Sequence, residues 1–487
     1  MQRTTENSSH RPGSPESHPL SRRGFLRRTS HAALATGAAM IVPRHVLGGA
    51  GFVPPSEKLN IALIGAGGRG RHLFEDLVKN GIEDAHVIAI CDVNERADYS
   101  KFYYRSVSGR LPMLELVDKH YAPRKEKGEY AGCKGFIDYR KMLDEEKAID
   151  AVMVATPDHT HAVVSLAAMR LGKHVYCEKP LAHSIEEVRA MTEEARRSKV
   201  ATQMGNQGNS TETHRQICEW IWDGAIGPVR EVHAWSDTGG WTNDFIARPT
   251  DTPPVPPGLD WNLWLGPARE RPYHPAYAPY NWRGWWDFGT GAIGDMGCHN
   301  IDPAFRALKL GFPESIEASS TKVNDETVPL ASIIHYTFPA REGMPPVKLT
   351  WYDCGLFPAV PEELPRGTKL DKNGILFVGE KGKLLCGGWS QSPRLLPESR
   401  MKEYKQPAKT LPRVKSHDRA WIDAAKGGPA ASSQFEYGGP LTELVLLGNV
   451  ALRSGGKIYW DGPNLRATGS EKAQDFVKAG FRPGWTL

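Results

Sequence analysis

The stretch Leu59 to Gly70, "LNIALIGAGGRG", decides the fold. Its first six residues, Leu59 to Ile64, are a short apolar run with β-branched members. Such a run suits a strand buried on both faces of a parallel sheet. Gly65, Gly67 and Gly70 then stand in a G-x-G-x-x-G pattern, followed by Leu73 and Leu77 on an apparent helix. Gly65 permits a tight turn, Gly67 lets backbone approach a pyrophosphate, and Gly70 allows helix and strand to pack closely. The helix N-terminus presents unpaired N–H groups and a partial positive charge to the phosphates. Gly68 and Arg69 complete this candidate cofactor loop.

Working outward, the next strand, His86 to Ile90, ends in Cys91-Asp92. Asp92 lies 22 residues beyond Gly70. A carboxylate there accepts hydrogen bonds from the adenosine ribose and repels a 2′-phosphate, so NAD is expected over NADP. Arg96 leaves NADP open. A third unit runs from Ile149 to Ala155 and ends in Thr156-Pro157-Asp158-His159-Thr160-His161. A helix carrying Val163, Leu166, Ala167 and Arg170 follows, and Gly172 stops it. "KHVYCEKP" reads as another strand, cut off by Pro180. Ligands in such sheets sit beyond the carboxyl ends of strands. Thr156, Pro157, His161, Glu178 and Lys179 all fall there. His159 and His161, two residues apart in a loop without a third partner, make a poor zinc site. No metal is expected. The seven cysteines are scattered, with no C-x-x-C pair and no disulfide framework.

Residues 58–180 therefore read as a dinucleotide-binding unit and 181–487 as a second, α/β unit. Ser184 to Glu187 is a cap signal for a helix. "VREVHAWS", "SIIHYTF", "VKLTWYD" and "GILFVGEKGKLL" carry the alternation and β-branched or aromatic content of sheet strands. Between them, residues 241–286 form an insertion rich in Pro and Trp. Nine of the fourteen Trp lie between Trp220 and Trp286. Two readings of these indoles stay open: they stack on the C–H faces of sugars, or they pack a long loop that has little regular structure. In "GDMGCHNID", Asp295 and His299 are spaced i, i+4, on one face of a helix. Gly294 and Gly297 cost that helix about 1 kcal/mol each, a cost that suggests close approach to a ligand.

In order and spacing, G65-A-G-G-R-G70, "ATPDHTH" (Ala155 to His161), Glu178-Lys179-Pro180, "GNQGN" (Gly205 to Asn209) and "FGTGAIGDMGCHNID" (Phe288 to Asp302) resemble the glucose–fructose oxidoreductase / inositol dehydrogenase / MocA family. The resemblance implies an N-terminal Rossmann domain, doubly wound on a parallel sheet. It also implies a C-terminal α+β domain with a large, open, mostly antiparallel sheet that often forms the homo-oligomer interface. It implies a catalytic set of Lys179, Asp295 and His299. His299 is expected as general base, with Asp295 orienting it and favouring its protonated form, and Lys179 stabilising a developing alkoxide. Asn206 and Gln207 join the cofactor residues, and Arg283, Trp286 and His299 are expected at a sugar or polyol substrate.

Residues 1–50 read as a disordered start and a leader. Arg22-Arg23, in "SRRGFLRR", resembles the signal of the twin-arginine translocase, and the Ala-rich run after it is too short to span a bilayer. The leader holds seven Arg and two Glu, a net of +5, and the whole chain holds 61 basic and 56 acidic residues, also +5. The remainder is therefore balanced at 54 of each. Nothing in it argues for nucleic acid or a membrane surface. Export in folded form to the periplasm, where no nucleotide pool recharges an enzyme, implies a tightly held cofactor and a closed redox cycle. The reading is an oxidoreductase acting on a sugar hydroxyl. Its alternatives are a redox-neutral glycosidase or lyase of the same family and a non-catalytic sugar-binding protein.

Overall fold

The computed structural model describes residues 58–242, 245 and 247–487. The leader and its arginine pair lie outside them. Six strands form one parallel sheet: β1 (Leu59–Ile64), β2 (Ala85–Cys91), β3 (Lys134–Phe136), β4 (Ala151–Val154), β5 (His174–Cys177) and β6 (Thr202–Met204). Their order is β3-β2-β1-β4-β5-β6. That order reverses between β1 and β4, and the crevice at such a switch point is where these sheets bind nucleotides. The sheet runs past Pro180, where the sequence reading ended the first unit. The helix after Ser184 serves as one more crossover and returns the chain to β6.

Three helices matter for the site. α1 (Gly68–Lys79) buries Leu73, Phe74 and Leu77 under the sheet. α2 (Asp158–Arg170) follows β4 and is buried along most of its length. α3 (Ile185–Ser198) opens with a full capping box. The Ser184 hydroxyl accepts from the Glu187 amide, and the Glu187 side chain accepts from the Ser184 amide. Between β2 and β3, a two-residue-by-two-residue ladder (Ala97–Asp98 with Val107–Ser108) makes a short hairpin.

The second sheet has nine strands: β7 (Val229–Ser236), β8 (Ser315–Ser320), β9 (Ser332–Phe338), β10 (Val347–Asp353), β11 (Asn373–Gly379), β12 (Gly382–Gly387), β13 (Arg394–Leu396), β14 (Ile458–Asp461) and β15 (Arg466–Thr468). Their order is β13-β12-β11-β7-β10-β9-β8-β14-β15. All described pairings are antiparallel except β7 with β10. Alternation sets its two faces. Ile334, Tyr336, Leu349, Trp351 and Phe377 point into the main core, while His335 and Lys348 point out to solvent. On the inner face lie α4 (Gly291–Asn300) and α5 (Phe435–Ser454). The glycines of α4 answer the question that their cost raised. A Cβ on Gly297 would sit 2.9 Å from Val445 of α5, and one on Gly294 would sit 2.0 Å from the Thr290 hydroxyl. They allow helix-to-helix and helix-to-turn contact, not approach to a ligand.

Packing accounts for much of the Trp-rich insertion. Trp261, Trp264, Trp282 and Trp285 are buried together with Tyr277 and Phe288 in a separate core. The Trp261 and Trp264 rings stack at 4.6 Å between centroids. Large aromatic faces here replace the backbone ladder that an irregular segment lacks.

Candidate active site

The glycine loop is as tight as its pattern demands. Gly65 has φ +89°, and a Cβ there would lie 2.6 Å from Ala155 and the Thr156 amide. A Cβ on Gly70 would lie 2.0 Å from the Gly65 carbonyl. Above the loop is a cleft of about 940 Å³. Its floor is Gly65, Gly67, Gly68 and Arg69. Asp92 and Val93 close it at the end of β2, and Thr156, Pro157 and Thr160 close it beyond β4. Its roof is Leu263, Trp264, Pro279, Trp282, Arg283 and Trp485 from the second part of the chain, with Tyr99 and Tyr104 from the short hairpin. The Thr156 hydroxyl and Arg69 Nη2, both on the cleft, are buried without a hydrogen-bond partner among the described residues. Orphaned polar groups along a glycine-floored crevice fit a dinucleotide, which brings the oxygens they lack.

Asp92 does two things at once. Its Oδ2 accepts from the Ala66 amide at 2.6 Å and its Oδ1 from the Asn94 amide at 2.7 Å. Burial pushes the carboxyl up to about 6, against the pull of those two amides. Each carboxylate oxygen keeps a second lone pair for a ribose hydroxyl. Asp92→Ser is therefore expected to shrink the preference for NAD over NADP by about tenfold, or ~1.4 kcal/mol. It is also expected to weaken both, because Ala66 loses its acceptor. Titrating the variant with each nucleotide checks this, and an unchanged preference would place Asp92 away from the ribose.

Lys179, at the end of β5, donates to the Asp295 carbonyl at 2.6 Å and to Asp295 Oδ1 at 2.7 Å. Arg283 Nε stands 3.6 Å from the same Oδ1. Burial would raise the Asp295 carboxyl, but Lys179 and then Arg283 hold it down at about 2. Burial opposes the Lys179 charge, yet Asp295 and Glu178 keep its pKa above the ordinary lysine value. The pair is thus Lys⁺–Asp⁻ across the working pH range. Arg283 itself lines the cleft, so the pair adjoins the cleft wall.

His299 sits one turn from Asp295 on α4, as the spacing requires, but no hydrogen bond joins the two among the described residues. Asp295 gives its bonds to Lys179. The His299 ring lies against Trp389, 5.5 Å between centroids, and its Nδ1 is buried without a partner among the described residues. Burial and the Lys179 charge hold its pKa well below the ordinary 6.5, outweighing Asp295. Asp295 thus favours the protonated form, as expected, but burial and Lys179 outweigh it, and its carboxylate is bonded to Lys179 and not to His299. The imidazole is held neutral. A neutral imidazole accepts a proton without first having to lose one.

Other expected residues divide between the cleft and its supports. The Glu178 carboxylate receives Arg69 Nε at 2.8 Å and the Gln207 amide at 3.2 Å, so Gln207 braces the cofactor side through Glu178. Asn206 is buried away from the cleft and bonds to Asp302 and Ser433. His161 is buried too, its two ring nitrogens 2.8 Å from the Thr156 and Pro180 carbonyls. Burial opposes its charge, but Cys177, Asp158 and the Pro180 carbonyl raise it to about 10. An imidazolium donating both ways ties the end of β4 to the end of β5. His159 also faces the Trp264 and Phe288 carbonyls, but burial lowers its pKa to about 3 and keeps it neutral. Trp286 does not line this cleft: its indole donates to the Asn324 carbonyl, and Arg453 covers its ring. Sequence reading missed Tyr99, Tyr104 and Trp485, and named Trp264 and Trp282 only as members of the Trp-rich insertion. The one local signal was the aromatic run in Tyr99-Ser-Lys-Phe-Tyr-Tyr104, directly after the second strand.

Comparison with known proteins agrees with this geometry. Residues 59–206 match the model of an oxidoreductase family with an NAD-binding Rossmann fold, and residues 215–342 match the C-terminal α/β domain of the same family. Levoglucosan dehydrogenase of Pseudarthrobacter phenanthrenivorans is 29% identical over 252 residues, covering 51% of this chain and 50% of that protein. Glycosyl hydrolase family 109 protein 1 of Shewanella sp. (strain ANA-3) is 26% identical over 224 residues, covering 44% of this chain and 45% of that one. The chain thus spans about half the length of the curated relatives it matches. The WlbA dehydrogenase of Bordetella pertussis, solved with NADH and UDP-GlcNAcA, superposes with a TM-score of 0.54 at 18% identity. That match covers 83% of this chain and 99% of that one, and shows a shared fold. The glycine-floored crevice at the β1–β4 switch point, the mostly antiparallel second sheet and both family matches converge: the chain belongs to the glucose–fructose oxidoreductase / inositol dehydrogenase / MocA family of oxidoreductases, built on an NAD-binding Rossmann domain.

Proposed function

We propose that the chain oxidises a hydroxyl-bearing carbon of a sugar or polyol by hydride transfer to NAD, and that it works outside the cytoplasm with its nucleotide retained between turnovers. The observation that carries this reading is a lysine locked cationic by Asp295, with a neutral histidine one turn further along the same helix, beside a dinucleotide cleft. Bound NAD supplies the hydride acceptor. Lys179 has three N–H donors and gives two to Asp295, so the third is left for the substrate oxygen. As the C–H bond weakens, that oxygen gains negative charge, which the fixed ammonium stabilises. His299 takes the hydroxyl proton. Asp295 acts by holding Lys179 in place and charged. Similarity to levoglucosan dehydrogenase supports a sugar-like substrate. The Arg22-Arg23 leader supports export through the twin-arginine translocase.

The test is a panel of aldoses, anhydrosugars and inositols with the purified protein, read by NADH absorbance and by product mass. Without an acceptor, a retained nucleotide predicts one equivalent of NADH per chain and then a stall, which a keto sugar relieves without added NAD. Sustained turnover that needs free NAD would remove the retained-cofactor part of the reading. Because His299 is held neutral, the rate of the hydride step is expected to stay level as pH falls through the ordinary histidine value of 6.5. A drop centred there would mean that the base is an ordinary, solvated imidazole. The similarity to a family 109 glycosyl hydrolase supports a second reading, in which oxidation is transient and the glycosidic bond is eliminated. Net hydrolysis with no accumulated NADH would favour it.

A further inference from the structure

A histidine that moves protons is ordinarily aimed by a hydrogen bond at its second ring nitrogen. His299 lacks one at Nδ1, which is buried without a partner among the described residues. What lies against the ring is the indole of Trp389, 5.5 Å between centroids and tilted by 47°. His299 is 5% exposed and Trp389 is partly exposed, so the indole forms the outward side of that contact. Trp389 sits in the turn between β12 and β13. Its backbone is left-handed, with φ 55° and ψ 30°, and Ser390 follows at φ 65°. A bulky residue in that region is strained, and such strain persists only where neighbours over-determine it. Here they do. The Trp389 amide donates to Asn300 Oδ1 at 3.3 Å. Asn300, next to His299 on α4, donates in turn to the Trp235 carbonyl of β7 at 2.8 Å. The Ser390 hydroxyl lies 3.2 Å from His214 Nδ1. A Cβ on Gly208 would stand 3.1 Å from the Trp389 carbonyl oxygen and 3.2 Å from its Cα, so the turn also rests on the segment after β6. It is wedged between the edge of the first sheet and the helix that carries His299.

We propose that Trp389 is the positioning residue of His299: the strained turn presents its indole as a cover that fixes the imidazole and shuts water away from it. The proposal rests on the reading of His299 as the base of hydride transfer. A hairpin turn needs no tryptophan, since glycine adopts the same backbone without strain. The side chain is what the strain serves. An imidazole walled off from water carries a proton only at a cost, so it stays neutral and ready to accept the hydroxyl proton. The charged and titratable groups about the ring are Lys179 from β5, Asp295 on its own helix, Arg69 from α1 and His417 at the start of the helix His417–Ala425. Burial is the largest influence; Lys179, Arg69 and His417 act with it, and Asp295 acts against it. Arg283 faces the Asp295 carboxylate. A substitution at Trp389 leaves all of these groups in the chain and removes the cover.

The experiment is a pH titration of the purified full chain by NMR, with carbon-13-labelled histidine, in which the His299 signal is the one missing from His299→Gln. The native ring is expected to stay neutral down to about pH 5. Trp389→Gly keeps the left-handed turn and removes the cover, so its His299 is expected to titrate with a midpoint raised toward the ordinary 6.5. Trp389→Asn, which also tolerates that backbone, replaces it if the glycine variant does not fold. Trp389→Phe restores an aromatic cover and is expected to keep the ring neutral. Single-turnover NADH formation on a sugar from the panel above supplies the second readout. With a midpoint of about 6, about one ring in ten is neutral at pH 5, so the glycine variant is expected to lose about tenfold in rate there relative to pH 8. A His299 that stays neutral in the glycine variant would overturn this inference alone, as would a rate lowered by one factor at every pH. A ring that titrates while the rate stays level with pH would mean that His299 is not the base, and both readings would fall together.

Discussion

Replacing Lys179 by Met is expected to slow hydride transfer by roughly a thousandfold while NADH binding persists. A single preorganised donor at a developing oxyanion accounts for ~10²–10³ in rate, and a cationic one in a dry site lies at the upper end. Methionine keeps the length and the apolar stem but removes all three N–H donors. The variant has a second effect. Asp295 loses its closest partner, and breaking a buried ion pair costs about 3–5 kcal/mol of stability when the remaining charge stays uncompensated. Here Arg283, 3.6 Å from the same carboxylate oxygen, takes up part of that charge. The loss is expected at the lower end, and the Asp295 carboxyl should titrate higher than its native value of about 2. Lys179→Arg separates the two effects, since it keeps the charge for Asp295 and misplaces the donor for the substrate. Single-turnover rates, NADH titration and thermal melts on both variants give the result. A Met variant at wild-type speed would take Lys179 out of the chemistry.

The second large effect is expected at Gly70. A Cβ there would stand 2.0 Å from the Gly65 carbonyl oxygen, 3.0 Å from its carbon and 3.6 Å from Leu63. Two of these three neighbours are backbone, so nothing can swing aside. Gly70→Ala must push the first turn of α1 away from β1, which moves the amides that face the pyrophosphate. Overpacking of this kind costs about 1–3 kcal/mol of stability. The NADH dissociation constant is expected to rise at least a hundredfold, about 2.8 kcal/mol. Gly456→Ala is the matched control, because a Cβ at Gly456 meets nothing within 4 Å. Calorimetric titration of both would show whether the loss is local to the loop. Normal NADH binding by the Gly70→Ala chain would mean that the loop is not the pyrophosphate floor.

What the sequence made legible was whatever depends on near neighbours. The β1 strand, the turn at Gly65 and the capping box at Ser184 are each fixed within a few residues, so their patterns name them. The i, i+4 spacing likewise put Asp295 and His299 on one helix face. What it could not show was who takes the Asp295 carboxylate. Lys179 is 116 residues away, and it wins because β5 delivers its ammonium to the start of that helix turn while His299 points at Trp389. Asn206 and Trp286 show the same limit: the fold gave their polar atoms to Asp302 and Asn324, partners far off in the sequence. The tyrosine hairpin was invisible for a different cause. Aromatic side chains after a strand look like any core, and only the packing of Tyr99 and Tyr104 on Gly67 and Gly68 shows that they cover a crevice.

The last described residues also belong to that crevice. Arg482 is buried and donates to the Gly266 carbonyl at 2.6 Å, the Asn262 carbonyl at 2.7 Å and the Asn262 side chain at 2.8 Å. It thereby sets Trp485 into the cleft wall, with Arg140 4.9 Å over the indole. The consequence lies in the order of synthesis. A chain emerging from the ribosome exposes its glycine loop at residue 65, yet the wall opposite is finished only when residue 485 has been added. Until then every earlier element can fold and the cleft still stands open on one side. Cofactor capture therefore waits until Arg482 and Trp485 have been added, and a chain without them lacks a wall of its nucleotide site.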